Sequence, residues 1–178
     1  NQLEALGGCV LDADAVYHQL LEEDGDLRRA LESRFGPLTG ADGSFDRKKL
    51  GGVVFHDRAA MADLNAIVTP YIDRALKARL AAAEQEGRPA AAIDAIRLVE
   101  NGLTGLCDAT LAVTAPAEVR VARIMAREGI SEDYAWARVR AQRPDQFFAE
   151  GCAHILYNDC GTAEEFSRKA EEFLKEIV

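Results

Sequence analysis

Two carboxylates lie where an apolar run ends. Asp12 and Asp14 follow Val10 and Leu11 in the segment CVLDAD. In open α/β sheets, ligands collect at the carboxyl ends of strands, and in an extended chain residues i and i+2 share one face. A carboxylate placed there could take a proton from an attacking hydroxyl, or orient it, in phosphoryl transfer. A plainer role is also open, in which Asp14 caps a helix beginning at Ala15. Asp94 ends a second apolar run, AAID. It is expected to reach the same edge, or else to serve as a turn or cap residue.

A second set of candidates is basic. Arg120, Arg123 and Arg127 recur at i, i+3 and i+7, within roughly 60° of arc on a helix. None has an acid three or four residues away. Arg123 and Arg127 are like charges one turn apart, which costs a few tenths of a kcal/mol unless an anion lies between them. The alternatives are a solvated face and pairing with distant acids. Arg138, Arg140 and Arg143 follow soon after, as in a mobile basic lid over a polyphosphate. No G-x-x-x-x-G-K-[ST] loop occurs in the 178 residues. The pairs Gly7-Gly8 and Gly51-Gly52 lack the lysine and hydroxyl that cradle phosphate and magnesium.

The elements that must hold these groups follow from periodicity. Strands are expected at Cys9–Asp12, Ala91–Asp94, 109–114 and His154–Tyr157, each short and without long alternation, as for strands buried on both faces. Helices are expected at 15–22, 27–35, 57–68, 70–85, 116–127, 131–142 and 164–178. Pro116 suits a first turn, Ser131 is a cap, and Thr162 with Glu165 forms a capping box. Alternating strands and helices specify an α/β layered fold. The opening NQLEALGG reads as the last turns of a helix ending at a glycine, so the chain is expected to begin mid-element, with a strand and loop before it.

Composition narrows the classes. The apolar fraction is 48% and the charged fraction 29%, which excludes a disordered or fibrous chain. No apolar run approaches the ~20 residues of a membrane span, and no secretory signal is visible. A net charge of −9 argues against general nucleic-acid binding. Cys9, Cys107, Cys152 and Cys160 form no zinc or CxxC pattern and read as reduced thiols of a cytoplasmic protein. No metal ligands are assigned, and oligomeric state is not specified.

With those residues in view, the chain resembles the dephospho-coenzyme A kinases. The resemblance runs through LGGCVLDADAV (6–16), FGPLTGADGSFDRKKLGGVVF (35–55), LNAIVTPYI (64–72), IDAIRLVENGL (93–103), LCDATLAVTAPAEVRVARIMAREGIS (106–131), RAQRPD (140–145) and ILYNDCGTAEEF (155–166). It implies a P-loop nucleotide-kinase fold: a five-stranded parallel sheet with helices on both faces, a helical substrate domain and a lid. In that family the phosphate loop lies roughly 20 residues before the position of Asp14. The implied division is a core at 1–22 and 88–178, with a lid near 128–150, and a helical CoA-binding insertion at 23–87. The implied reaction uses ATP with Mg2+ to phosphorylate the ribose 3′-hydroxyl of dephospho-CoA.

By the same resemblance, Asp14 faces the acceptor hydroxyl. Asp12, Arg47, Asp94 and Glu100 lie on the substrate side. Arg123, Arg127, Gln142 and Asn158 lie on the ATP side. Two departures fall near the acyl-CoA side. Thr69 stands where the family has histidine before Pro70, and Arg97 with Leu98 replace a Pro-Leu-Leu type of motif leading to Glu100.

Two other readings compete. A strand followed by D-x-D also opens haloacid-dehalogenase-like phosphohydrolases, with Asp12 as nucleophile, Asp14 as acid/base and Thr114 as phosphate-binding hydroxyl. That reading needs a late lysine, and only Lys169 and Lys175 follow Thr114. The third reading is a non-catalytic module that binds CoA or nucleotide. Without a phosphate loop, the 178 residues alone are expected to be inactive.

Overall fold

The computed structural model describes residues 2–40 and 42–177; Asn1 and Val178, where the first and last expected helices begin and end, lie outside the described residues. The chain forms two compact units, residues 4–97 and residues 98–177 with 2–3. No helix among the described residues is long and apolar enough to cross a membrane.

Helix α1 (Gln2–Ala5), which spans the boundary between the units, ends at Gly7, whose φ of +88° and N–H bond to the Glu4 carbonyl make a glycine stop. Strand β1 (Cys9–Asp12) pairs in parallel with β2 (Ala91–Asp94). Between them run α2 (Ala13–Glu23), α3 (Gly25–Phe35), α4 (Arg47–Val54) and α5 (Arg58–Gln85). Each of these four helices is started by an aspartate, Asp12, Asp24, Asp46 and Asp57, whose carboxylate accepts backbone N–H groups of the first turn. Much of the acidic excess here is thus structural.

Helices α2 and α3 begin two residues earlier than expected, and two larger details differ from the sequence expectation. Helix α4 escaped the periodicity reading because its Gly51-Gly52 pair interrupts the apolar pattern. Helix α5 is continuous, whereas two helices split at Pro70 were expected. Leu64, Val68 and Leu76 are buried on either side of the proline, so packing holds the helix through it. The Thr69 hydroxyl also donates to the Asn65 carbonyl at 2.7 Å, one turn back. The core packs Leu21 of α2, Leu27 and Leu31 of α3, Leu38, Phe45, Leu50 and Val54 against Ala60, Leu64 and Val68 of α5.

In the second unit, β3 (Leu111–Thr114) pairs in parallel with β4 (His154–Tyr157). Helices α6 (Ala117–Glu128), α7 (Glu132–Arg140) and α8 (Asp145–Gly151) connect them, and α9 (Ala163–Ile177) follows. Strand β3 starts two residues later than expected, and α8 was not foreseen because seven residues give too short a pattern. Val121, Ala135 and Val139 bury the α6–α7 contact. Ser131 caps α7, and Thr162 with Glu165 closes the capping box on α9, both as expected.

Candidate active site

The first group of candidate side chains lies in the unit 4–97. In the parallel register, Asp12 pairs with Asp94, so two carboxylates end adjacent strands at one edge. Helix α2 begins at Ala13, directly after Asp12. Asp12 is therefore the helix cap, its Oδ1 accepting the Ala15 N–H at 2.9 Å. This corrects the alternative in which Asp14 fills that role, with a helix from Ala15. The extended i, i+2 geometry is corrected too, because Asp14 is already helical. Asp14 is exposed in the first turn and has no hydrogen bond or ion pair with any described residue.

Further along α2, Tyr17 lies one turn beyond Asp14, and its ring touches that of His18. Burial pushes the Tyr17 phenol up, and the nearby Arg47 guanidinium pulls the other way. Arg47, the first residue of α4, reaches back to α2, with Nη2 2.9 Å from Glu22 Oε1. Arg28 holds the same end of α2 by donating to the Leu21 and Glu22 carbonyls and to Gly43. Tyr17 and Glu22 were missed by the sequence reading. The available signal was that Tyr17 stands at i+3 from Asp14, on the same helix face.

Of the two departures, Thr69 is turned inward onto its own helix by the bond to Asn65. Arg97 is exposed, with no partner among the described residues.

The second group lies in the unit containing β3 and β4. Two of the three arginines of the α6 stripe, Arg120 and Arg123, are engaged by groups outside the helix. Arg120 donates to Gln142 Oε1 at 2.7 Å, and its Nη2 lies 3.6 Å from Asp145 Oδ1. Arg123 donates to the Asn158 carbonyl at 3.2 Å, the Asn158 Oδ1 at 3.0 Å and the Cys160 carbonyl at 3.1 Å. Both of its terminal nitrogens thus hold the loop that follows β4. Among the described residues Arg127 pairs only with its neighbour Glu128, at 2.8 Å, and its side chain is 71% exposed. Arg123 and Arg127 are both exposed, but the Arg123 guanidinium is committed to the loop after β4 and the Arg127 guanidinium is not. Glu100 is in this unit too, and its Oε2 is buried without a partner among the described residues.

The phosphohydrolase roles find little support in this geometry. The Asp12 carboxylate is engaged as a cap, the Thr114 hydroxyl is buried, and Lys169 is held by the Tyr157 carbonyl and Asp159. No group of three metal-ligating side chains occurs among the described residues.

Comparison with known proteins gives a consistent result. The family model described as CoaE, dephospho-CoA kinase, matches residues 1–164. The dephospho-CoA kinase of Geobacter sulfurreducens is 36% identical over 172 residues, covering 96% of this chain and 86% of the relative. That of Geobacillus kaustophilus is 33% identical over 177 residues, covering 98% and 87%. Among solved structures, TT1252 from Thermus thermophilus superposes with a TM-score of 0.74 at 32% identity, covering 99% of this chain and 88% of that one. The dephospho-CoA kinase from Campylobacter jejuni shares the fold, with a TM-score of 0.71 at 23% identity over 98% and 87% of the two chains. The match runs through both units, through Asp14 on the one side and the α6 arginines on the other, and on it this chain belongs to the dephospho-CoA kinase family.

Proposed function

We propose that these residues serve the transfer of the ATP γ-phosphoryl group to the ribose 3′-hydroxyl of dephospho-CoA, giving coenzyme A. The observation that carries the mechanism is the carboxylate of Asp14, without a partner among the described residues, just past the carboxyl edge of β1 and β2. A sugar hydroxyl is a poor nucleophile until its proton has somewhere to go. Asp14 accepts that proton as the 3′-oxygen attacks the γ-phosphorus, the bond to the β-phosphate oxygen breaks, and ADP leaves. Asp12 holds the turn that presents Asp14, and Asp94 and Arg47 flank the acceptor. Glu100 is assigned to the substrate side by resemblance alone.

On the donor side, Arg127 is the arginine for the phosphates. Arg123 orders the loop bearing Asn158, and Gln142 and Asn158 meet the nucleotide. Mg2+ would enter with ATP as part of the donor substrate and offset the charge of its phosphates, as suits an ion that takes few protein ligands. Residues 23–87 form the acceptor-binding insertion, 1–22 and 88–178 the nucleotide core, and 128–150 its lid. A cytoplasmic setting suits both substrates and the four free thiols.

The 178 residues contain no G-x-x-x-x-G-K-[ST] segment. By themselves they are expected to transfer no phosphate, because the reaction depends on a preorganised electrostatic cradle. The test uses the complete reading frame that encodes them, with dephospho-CoA, adenosine and AMP as acceptors. Dephospho-CoA should be preferred, with adenosine a weak acceptor. Preference for AMP would make the enzyme a nucleoside-monophosphate kinase, since a phosphate acceptor is already ionised and needs no base.

A further inference from the structure

We propose that Arg120 is a positioning residue that fixes the orientation of the Gln142 amide, turning Gln142 into an obligatory hydrogen-bond donor toward the nucleotide. The inference rests on the assignment of Gln142 to the ATP side.

Three observations carry it. The Arg120 side chain is only 26% exposed, and its Nε is buried with no acceptor among the described residues. Desolvating a guanidinium is costly, so its remaining contacts matter more than those of an exposed arginine. Those contacts are Gln142 Oε1 and Asp145 Oδ1. The hydrogen-bond acceptor Gln142 and the ion-pair partner Asp145 lie on one short connection, with Gln142 just past the end of α7 and Asp145 opening α8. Arg120 is on α6, so a single side chain pins this connection to the helix before the lid.

The chemistry of the pair sets its polarity. An arginine has donors only. It must therefore meet the oxygen end of the Gln142 amide, which leaves Nε2, with its two N–H groups, facing away from Arg120. The partner that suits Nε2 is an acceptor, such as a ring nitrogen or a phosphate oxygen. Asp145 adds a second anchor that keeps the guanidinium from rotating away from Gln142.

The test pairs Arg120→Ala and Arg120→Lys with Gln142→Glu. Glutamate keeps an oxygen for Arg120 but has no donor left for the nucleotide. In the 178-residue chain, limited trypsin cleavage after Arg140 reports on the clamp without any need for activity. It should be about tenfold faster in Arg120→Ala, close to wild type in Arg120→Lys, and unchanged in Gln142→Glu. In the complete reading frame, the KM for ATP should rise about tenfold in Arg120→Ala and in Gln142→Glu, with kcat nearly constant. Arg120→Lys should recover most of the loss. Unchanged cleavage in Arg120→Ala would overturn the clamp, and a wild-type KM in Gln142→Glu would overturn the donor role. A wild-type enzyme that does not use ATP would instead sink the kinase reading, leaving the proteolysis result to judge the clamp.

Discussion

Asp12 accepts the Ala15 backbone N–H at 2.9 Å, while Asp14, two residues on in the same helical turn, has no partner among the described residues. A carboxylate that caps a helix has one oxygen committed to the backbone. One that must take a proton from a substrate needs that oxygen free. In the proposed reaction, the first acid of D-x-D builds the turn and the second is left for the ligand.

That separation predicts opposite phenotypes. Asp12→Ala should cost about 1 kcal/mol of stability, as for loss of an N-cap, and affect turnover through the distorted turn. Asp14→Asn should leave the melting temperature unchanged and lower kcat by ~10²-fold or more with little change in KM. Thermal melts and steady-state kinetics on the two variants check this. A fully active Asp14→Asn would leave that carboxylate without a catalytic role.

The α6 arginines should separate in a similar way. Arg127→Ala should weaken ATP handling by about 1.5–3 kcal/mol, as for a lost charge-assisted bond, with stability unchanged. Arg123→Ala removes three bonds to the 158–160 loop, so it should lower both the melting temperature and ATP affinity. Calorimetry alongside ATP titration distinguishes the two. Equal effects on stability would mean that Arg127 is structural as well.

A pH effect follows from Glu32. The Leu38 N–H and then the Thr39 hydroxyl bond its carboxylate and hold it below the usual range. Its folded-state value lies below its unfolded one. The contribution is therefore whole above the unfolded value, about pH 4.3, and is lost as pH falls from there through the folded value. Glu32→Gln should be less stable than the parent at pH 7, and the gap should narrow on acidification below about pH 4. Denaturant midpoints across that range measure it, and a gap independent of pH would contradict the assignment.

The fold was legible where one residue type decides a local conformation. The glycine stop after α1, the Ser131 cap and the Thr162–Glu165 box each depend on a short segment alone. The common edge of Asp12 and Asp94 was also legible, because each ends an apolar run of equal length. What the sequence hid was set by tertiary packing. Pro70 reads locally as a helix break, yet the core on both sides carries α5 through it. Arg120 and Arg123 read as unpaired because their partners, Gln142, Asp145, Asn158 and Cys160, lie 22 or more residues away. Only the fold brings those groups to α6.

The most direct test of the account is the identity of the product. With the complete reading frame, dephospho-CoA and Mg-ATP, phosphorus NMR should show one new phosphomonoester on the ribose 3′-oxygen, formed in step with ADP. The same spectrum from Asp14→Asn should accumulate that signal at about one-hundredth of the rate or less. A new phosphoanhydride in place of the 3′-monoester, or ADP formed with no change in dephospho-CoA, would contradict it.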